Sequence, residues 1–435
     1  NSGADHDSGC YRAQVIVNLP YGGDRMALDL RGLRVRGIAP SAPPAPVDAA
    51  DIVGKALDEP LDGLPIVDRA RGLASATVIV PDATRKAGLP QIMPVVLEHL
   101  RRGGLAEDSV TILVANGTHP QVGPQEVADL LGSVPSGLKV IEHDSRDREN
   151  LIEVGELRPG LPLRFNRAAV ETDLLITVGS VRHHYFAGFG GGPKMVFPGV
   201  AGYEEIQANH SLVLRSENGQ WHREPRCEPG VLDRNPIAEE IARAADALEP
   251  DCAVCLVPGR NGGVARAVAG TWKRSFVAAV ERVRSWFETT VDPPFRLMVA
   301  CGAGAPSDST LIQGHKSLDA ACRFLEPGGE ILYVASLENG LGSLDMEPFV
   351  EDPAPERILS RLSKGWVQYG HTTLRLVEKT SRFKIRLCSN LDPGTARRLG
   401  FDPVADPEQI LDRWRREFPG ATLGVMAESA VFPRS

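Results

Sequence analysis

The sequence predicts an α/β protein of two domains, each with a mostly parallel sheet flanked by helices. Three observations support this fold class. The 435 residues exceed the roughly 250–300 residues that one hydrophobic core usually supports. Short runs of Val, Ile and Leu are typical of strands buried on both faces, and they alternate with amphipathic helical segments. The predicted domains are residues 1–291 and 292–435, with the active site expected in the cleft between them.

The first domain begins with a predicted hairpin, QVIVNLPYGGDRMALDL, which turns at YGGD. Alternating strands and helices follow it. Asn235 and Pro236 form a typical helix start, a side-chain cap followed by proline at the first helical position. The predicted strands are ATVIVPD, VTILVANG, LKVIEHD, TDLLITVGS and DCAVCLVPG, and the helices between or after them include PQIMPVVLEHLRRG, PQEVADLLGSV, YEEIQANHSLVL and PIAEEIARAADALE.

The second domain begins after VDPPF, a stiff linker candidate. Its predicted strands are FRLMVACGA, EILYVAS, FKIRLCSN and TLGVMAES, with helices such as KSLDAACRFLE between them. The sequence leaves open whether the last helix, near residues 407–418, packs on this domain or back on the first.

Composition favours a small-molecule substrate. The chain has 48 Lys and Arg against 56 Asp and Glu, a net charge of −8, without a long basic run. This charge argues against nucleic acid or an anionic membrane as a partner. We expect a cytoplasmic protein, because no apolar run reaches membrane length and the start lacks a leader pattern. Cys252 and Cys255 form a CxxC within an apolar strand, which indicates core packing rather than a zinc site.

Four unusual polar clusters each follow a predicted strand. They are PDATRK, NGTH, the glycine-rich stretch HHYFAGFGGGPKMVFPG, and GAGAPSDSTLIQGHK. Ligands bind at the carboxyl ends of strands in open α/β sheets, so these loops are expected to line one crevice.

Three histidines are candidates for acid–base chemistry. His119 follows a glycine turn, where the alternative is a solvated loop residue. His183 and His184 are neighbours in an extended segment, so their side chains point to opposite faces and one of them is expected to face the site. Imidazole exchanges protons near neutral pH and contributes about 10²–10⁴-fold as a general acid or base.

Gly190, Gly191 and Gly192 resemble a phosphate-cradling loop, because glycines allow backbone N–H groups to approach an anion. The loop is not a Walker A motif, since Lys194 follows proline and is followed by methionine. The lysine either neutralises a phosphate or is a covalent nucleophile towards a cofactor carbonyl. His210 lies sixteen residues after Lys194 and has no companion metal-binding motif. If it binds a metal, most of the other ligands must come from something other than protein side chains.

Further polar residues are candidates for substrate binding. Asp82 and Arg85 share a turn and either pair with each other or present a guanidinium to a carboxylate. Gln313 and Lys316 have the same spacing at the head of a helix in the second domain. Solvated ion pairs are the alternative for both sets. Trp366 either walls an apolar pocket or packs in the core.

Together these clusters resemble the lactate racemase LarA family of 2-hydroxyacid racemases and epimerases. The resemblance runs from YGG near the N-terminus through the GxxxPxDxxxxQxxK pattern at residues 302–316. Its most specific part is HYFAGFGGGPKMVFPGVAGYEEIQANH, which combines a histidine, a lysine ten residues later, and a second histidine sixteen residues after that lysine.

The resemblance implies a nickel-pincer nucleotide as cofactor. Lys194 matches the lysine that joins this cofactor through a thioamide, and His210 matches the one protein ligand to nickel, the cofactor supplying the other three. His119 and His184 match the two catalytic histidines. Arg85, Gln313 and Lys316 match substrate-binding positions. Asp82 lies in the same loop as Arg85, and Trp366 matches a pocket wall.

The implied reaction is the inversion of a 2-hydroxy acid by hydride transfer. Removing a proton from a carbon beside a carboxylate would place two negative charges side by side, so the family withdraws hydride instead. One histidine takes the hydroxyl proton and the other returns it on the opposite face. Maturation enzymes that make the cofactor are implied partners.

Two departures from the family pattern bear on the substrate. The usual DxTRP reads DATRK, with Lys86 in place of proline, and Ile312 stands where an aromatic residue is common. Both leave the reaction class intact and put lactate itself in question. Two other functions remain open: a phosphate- or nucleotide-dependent transferase with the glycine loop as anion cradle, and a non-catalytic binding protein for an anionic metabolite.

Overall fold

A computed structural model describes residues 10–11, 16–41, 43–83, 87–132, 135, 137–427 and 431–434. The chain forms two compact units. The central unit comprises Ala42–Arg215 and Arg223–Trp286, and the terminal unit comprises Asn1–Ser41, Ser216–His222 and Phe287–Ser435. Both are α/β, as the sequence predicts.

The strands, numbered in chain order, are β1 (Cys10–Tyr11), β2 (Ile16–Tyr21), β3 (Asp24–Asp29), β4 (Arg34–Gly37), β5 (Ala76–Pro81), β6 (Val110–Ala115), β7 (Lys139–Glu142), β8 (Leu151–Arg158), β9 (Leu161–Asn166), β10 (Leu175–Ser180), β11 (His183–His184), β12 (Gly188–Phe189), β13 (Leu214–Glu217), β14 (Gln220–Arg223), β15 (Cys252–Pro258), β16 (Val264–Gly270), β17 (Glu288–Thr289), β18 (Phe295–Cys301), β19 (Leu325–Val334), β20 (Lys384–Cys388), β21 (Asp402–Pro403), β22 (Thr422–Met426) and β23 (Phe432–Pro433).

The helices follow the same order. They are α1 (Ala49–Asp58), α2 (Ile66–Arg69), α3 (Leu89–Arg102), α4 (Pro124–Leu131), α5 (Arg167–Val170), α6 (Tyr203–His210), α7 (Pro236–Leu248), α8 (Trp272–Phe287), α9 (Leu311–Cys322), α10 (Glu347–Glu351), α11 (Pro355–Leu362), α12 (Gln368–Arg382), α13 (Pro393–Arg398) and α14 (Pro407–Glu417). The predicted start of α7 is confirmed, because the Asn235 side-chain oxygen accepts hydrogen bonds from the N–H groups of Ile237 and Ala238.

The sheet of the central unit has the order β16-β15-β10-β5-β6-β7. Its strands are parallel except β16, which pairs antiparallel with β15. All residues of β5 and β15 are buried, as expected for strands covered on both faces. Cys252 and Cys255 in β15 are buried free thiols, which confirms the core-packing interpretation.

The sheet of the terminal unit has the order β1-β4-β22-β18-β19-β20-β21. The predicted hairpin is confirmed as β2 and β3, but the chain that follows it differs from the prediction. β4 pairs in parallel with β22, so the N-terminal segment that the sequence assigns to the first domain lies in the terminal unit. The prediction missed this arrangement because β4 and β22 are separated by nearly the whole chain, and local sequence patterns do not identify such distant partners. Leu411 and Trp414 of α14 are fully buried in the same core as Leu19 and Leu28 of the hairpin.

Buried histidines with lowered pKa values make the protein sensitive to acid, and His143 and His315 are one example from each unit. Burial lowers the pKa of His143 to about 4. Burial, then the charges of Lys379 and Lys316, lower the pKa of His315 to about 3. The unfolded chain takes up these protons near pH 6.5 and the folded chain does not, so stability is lost as the pH falls below that value.

We therefore expect the free energy of unfolding to drop by about 1.4 kcal/mol per pH unit for each of the two histidines between roughly pH 6 and pH 4.5. Urea unfolding at several pH values measures this slope. His315→Gln is expected to reduce it by about 1.4 kcal/mol per pH unit, whatever the substitution does to stability at neutral pH. An unchanged slope in this variant would contradict the assignment of His315 as a buried neutral imidazole.

Among the described residues, the structure contains no helix that is both long enough and apolar enough to cross a membrane.

Candidate functional site

Three of the polar loops lie at one edge of the central sheet. β10, β5 and β6 are adjacent and parallel, so their carboxyl ends meet at the same edge. Asp82 follows β5, His119 lies in the loop after β6, and the His183–His184 pair follows β10. The fourth loop, with Gln313 and Lys316, belongs to the terminal unit.

His119 is oriented by a buried carboxylate. Its Nδ1 lies 2.8 Å from Oδ2 of Asp82, whose exposed fraction is 7%. The ionised carboxylate accepts a hydrogen bond from Nδ1–H, which leaves Nε2 with the lone pair. This arrangement suits a general base. Asp82 thus contacts a histidine; Arg85, the partner that its spacing suggests, lies outside the described residues, as does Lys86.

Backbone hydrogen bonds tie the His119 loop to the segment that leads into α6. The N–H of Gly117 donates to the carbonyl of Gly199 over 2.9 Å. Asn116 donates through its side chain to the carbonyl of His143, and Nε2 of His143 lies 2.9 Å from the carbonyl oxygen of Ala201. The buried His143 therefore connects the loop of His119 with the chain that carries His210.

The His183–His184 pair forms one strand of a short hairpin, β11 and β12. His183 is opposite Phe189, and their ring centroids are 4.8 Å apart, while His184 is opposite Gly188. The two side chains point to opposite faces, as predicted. Nδ1 of His184 accepts a hydrogen bond from the N–H of Ala187 over 3.2 Å, so its neutral ring carries the proton on Nε2.

Phe186 packs against three of the candidate side chains. Its ring is buried, with an exposed fraction of 1%. It meets the His184 ring edge-on at 4.6 Å and the His210 ring edge-on at 5.1 Å, and Nζ of Lys194 lies 5.8 Å from its centroid. The backbone carbonyl of Phe186 accepts a hydrogen bond from the Asn235 side chain. One aromatic ring thus sets the spacing of two imidazoles and an amine.

Truncating this ring is expected to loosen the three groups together. If the nickel cofactor that the sequence resemblance implies binds at His210, Phe186→Ala is expected to lower its affinity by about 10- to 100-fold, the range for residues that orient a metal ligand. Phe186→Leu, which keeps most of the volume, is expected to lose less. Nickel retention after dialysis measures both. Equal, full retention in the two variants would contradict a spacing role for Phe186.

His210 is a buried, neutral imidazole at the end of α6. Burial, followed by the nearby charge of Lys194 and then of His119, lowers its pKa to about 3. Nδ1 lies 2.8 Å from the carbonyl oxygen of Ile206 and donates to it, so Nε2 holds the lone pair. A neutral ring fixed through its other nitrogen is the usual form of a metal-binding histidine.

A complete metal site made of protein side chains is absent from the described part of the chain. No group of three or more His, Cys, Asp or Glu residues there lies close enough to hold a metal ion. Further ligands for a metal at His210 would have to come from a bound molecule.

The glycine loop is shaped by close packing. Gly191 and Gly192 have positive φ angles of 69° and 51°, and a Cβ at these positions would lie 2.6 Å from the Ser180 carbonyl oxygen and 2.3 Å from the Phe276 ring. These two glycines are required by the fold itself. At Gly190 a Cβ would meet only the Arg182 carbonyl oxygen, at 3.8 Å. The backbone N–H of Gly190 donates to the same Arg182 carbonyl oxygen over 2.7 Å.

Gln313 and Lys316 lie on the first turns of α9, where Lys316 Nζ donates to Gln313 Oε1 over 2.6 Å. The same helix is anchored by Asp319, which is buried and pairs with Arg375 at 2.7 Å and Lys379 at 2.6 Å. Removing one partner of such a buried pair typically costs about 3–5 kcal/mol, because it leaves a charge buried without its counter-ion.

Two other candidate positions also lie in the terminal unit. Trp366 is half-buried, and its ring centroid is 5.6 Å from that of His371. Ile312 is buried, with an exposed fraction of 8%.

Comparison with known proteins finds similarity to lactate racemases. Residues 21–222 match the model of the lactate racemase N-terminal domain. The lactate racemase of Thermoanaerobacterium thermosaccharolyticum is 29% identical over 355 residues, which are 80% of this chain and 81% of that protein. The lactate racemase of Lactiplantibacillus plantarum is 29% identical over 296 residues, 67% of each chain.

Two solved structures share the fold. The lactate racemase apoprotein from T. thermosaccharolyticum superposes with a TM-score of 0.84 at 24% identity, covering 96% of this chain and 99% of that one. A Thermotoga maritima protein superposes with a TM-score of 0.62 at 16% identity, covering 89% of this chain and 99% of that one.

The similar proteins whose activity is named are lactate racemases, which are isomerases. Residues 21–222 match the lactate racemase N-terminal domain, and most of the chain is similar in sequence to two lactate racemases.

Proposed function

We propose that the protein interconverts the two configurations of a small 2-hydroxy acid, with a nickel-pincer nucleotide attached at Lys194 as cofactor. The observation that carries this proposal is the packing of His184, Lys194 and His210 around the single ring of Phe186. This packing gathers a candidate acid–base group, a candidate anchor and a candidate metal ligand around one ring, which supports a common ligand for the three. Lactate is the first substrate to test, because two similar proteins are named lactate racemase.

The residues present fit the cofactor. His210 offers one neutral nitrogen, Nε2, whose lone pair is free of the hydrogen bond that Nδ1 makes to the Ile206 carbonyl oxygen. Lys194 would hold the group covalently, and Gly190, Gly191 and Gly192 would lie along it. When bound, the group supplies an electrophilic ring that takes up the hydride of the substrate α-carbon.

The protein's own contribution is proton transfer at the substrate hydroxyl. His119 presents its Nε2 lone pair, with Asp82 stabilising the positive charge that the ring gains when it takes the hydroxyl proton. His184 presents Nε2–H and would act on the other enantiomer. Inversion requires two such groups. One takes the hydroxyl proton from the first enantiomer, and the other returns a proton to the hydroxyl oxygen when the second enantiomer forms.

Substrate binding is assigned by the family motifs. Arg85 of the central unit would pair with the carboxylate, and Gln313, Lys316 and Trp366 are the candidate substrate-binding residues of the terminal unit. Asp82 belongs to the same group through its bond to His119. A flat keto acid held in this way stays bound while it turns.

The test is to produce the protein together with the enzymes that mature the cofactor and to assay chiral 2-hydroxy acids. We expect about one nickel per active chain, a mass increase on the peptide that contains Lys194, and racemisation of at least one acid. A matched preparation without the maturation enzymes is the control. A transferase that uses the glycine loop as an anion cradle would show neither nickel nor added mass, and that result would refute the proposal.

A further inference from the structure

The loop between β6 and α4, which carries His119, is held at both ends by one carboxylate. Glu142, the last residue of β7, accepts a hydrogen bond from the backbone N–H of Val122 over 2.8 Å through Oε1. Its Oε2 accepts a second from the N–H of Gly123 over 3.1 Å. Nδ2 of Asn116 lies 3.5 Å from Oε1, a longer contact. The Glu142 side chain thus contacts the first residue of the loop and the last two.

The backbone at the end of β7 adds two further contacts to the same loop. The carbonyl of His143 accepts a hydrogen bond from Nδ2 of Asn116 over 3.2 Å, and the carbonyl of Glu142 accepts one from Nε2 of Gln121 over 3.0 Å. β7 pairs in parallel with β6, with Glu142 in register with Val114. The end of β7 therefore lies beside the point where the loop leaves β6.

The loop needs such contacts because its own backbone is permissive. Gly117 and Gly123 have positive φ angles of 56° and 92°, and glycine loses more conformational freedom on folding than any other residue. A turn closed by the hydrogen bond from the N–H of His119 to the carbonyl of Asn116, over 2.8 Å, orders the start of the loop. At its end, hydrogen bonds to an ionised carboxylate are about twice as strong as neutral ones, so Glu142 is suited to fix it.

Gly123 is also the N-cap residue of α4, and it has no side-chain oxygen to accept a hydrogen bond. Glu142 supplies a carboxylate at this helix end, where negative charge is favourable. The same contact therefore orders the end of the loop and the start of the helix that follows.

Asp82 and Glu142 act on His119 in different ways. Asp82 contacts the ring itself, because its Oδ2 lies 2.8 Å from Nδ1, and it sets the tautomer. Glu142 contacts the loop, and through the loop it sets where the ring stands. Proton transfer depends on this position, since a misplacement of about 1 Å in an active site can lower the rate by about 10²-fold.

We propose that Glu142 is a positioning residue for the acid–base histidine His119. The inference rests on the proposed function, because it assumes that His119 exchanges the hydroxyl proton of the substrate. Glu142 acts through the loop and contacts neither substrate nor cofactor in this assignment. Lys194 and His210 lie on another segment of the chain, so cofactor binding is expected to be independent of Glu142.

The experiment measures kcat, KM and nickel content of the cofactor-loaded variants, with lactate or whichever chiral 2-hydroxy acid the unmodified enzyme inverts fastest. We expect Glu142→Ala to lower kcat by about 10- to 100-fold with KM and nickel content unchanged, the pattern of an interaction that matters in the transition state. Glu142→Gln keeps one oxygen that accepts a hydrogen bond from a backbone N–H, so it is expected to recover part of the rate.

Glu98→Ala is the matched control. Glu98 is an exposed glutamate on α3 that also accepts hydrogen bonds through both oxygens, in its case from Arg101. Its removal is expected to leave kcat, KM and nickel content as in the unmodified enzyme.

A double-mutant cycle tests whether Glu142 acts through His119. We expect the double variant Glu142→Ala with His119→Ala to be no slower than His119→Ala, because no ring is left to position. The same cycle with Glu142→Gln, which keeps the shape of the side chain, gives the test if the alanine variant does not fold.

The outcomes separate this inference from the function beneath it. An unchanged kcat in Glu142→Ala, a loss of nickel or a rise in KM as large as the loss in kcat, or additive losses in the cycle would overturn the positioning role and leave the racemase function standing. Failure of the nickel-loaded, unmodified enzyme to invert any of the acids would overturn the proposed function and this inference with it.

Discussion

Replacing Lys194 by alanine is expected to abolish turnover and cofactor retention together. The side chain lies in the tight turn Gly192–Met195, with its amine facing the Phe186 ring, and the proposed thioamide cannot form without it. The bond from His210 to nickel is then the one proposed bond left between protein and cofactor. A single bond of this kind is too weak to retain the cofactor through purification. Nickel content and racemase activity after gel filtration measure the loss.

Lys273→Ala is the matched control for this prediction. Lys273 lies on the surface of α8, where it pairs with Asp246, and its removal is expected to leave nickel content and activity as in the unmodified protein. Full activity with bound nickel in Lys194→Ala would contradict the covalent attachment.

The neighbouring histidines give the second large effect. His184→Ala is expected to lower kcat by about 10²–10⁴-fold, the usual contribution of a general acid or base, while nickel remains bound. His183→Ala is expected to retain most activity, because its side chain lies on the other face of the hairpin against Phe189. The two substituted histidines are neighbours in the chain, so a loss of folding is expected to lower the activity of both variants.

His119→Ala is expected to behave like His184→Ala, since inversion needs both groups. Steady-state rates in each direction, with nickel analysis of the same samples, provide the measurement. A loss in His183→Ala as large as that in His184→Ala would show that the assignment of faces is wrong.

Much of this fold follows from local sequence. The buried runs of β5, β6, β10 and β15 predict a parallel sheet, and the Asn235–Pro236 pair predicts the start of α7. The position of polar loops after these strands predicts that Asp82, His119 and His184 share one sheet edge. Each of these signals depends on residues a few positions apart, so periodicity and capping chemistry suffice.

The remaining features depend on contacts between distant residues. The pairing of β4 with β22 joins the two ends of the chain, and nothing in either strand identifies its partner. Phe186 appears in the sequence as one more apolar residue in a glycine-rich stretch, yet it contacts three candidate side chains. The Asp82–His119 hydrogen bond is likewise hidden in the sequence, because the three-residue spacing from Arg85 suggests a nearer partner.

The central claim is that Lys194 and His210 hold one nickel-bearing cofactor. A crystal structure of the active enzyme, with anomalous scattering recorded at the nickel absorption edge, tests it most directly. We predict a nickel peak at bonding distance from Nε2 of His210 and continuous density from Nζ of Lys194 to the same ligand. A nickel peak away from His210, or a Lys194 side chain that ends unmodified in a fully active crystal, would contradict the account.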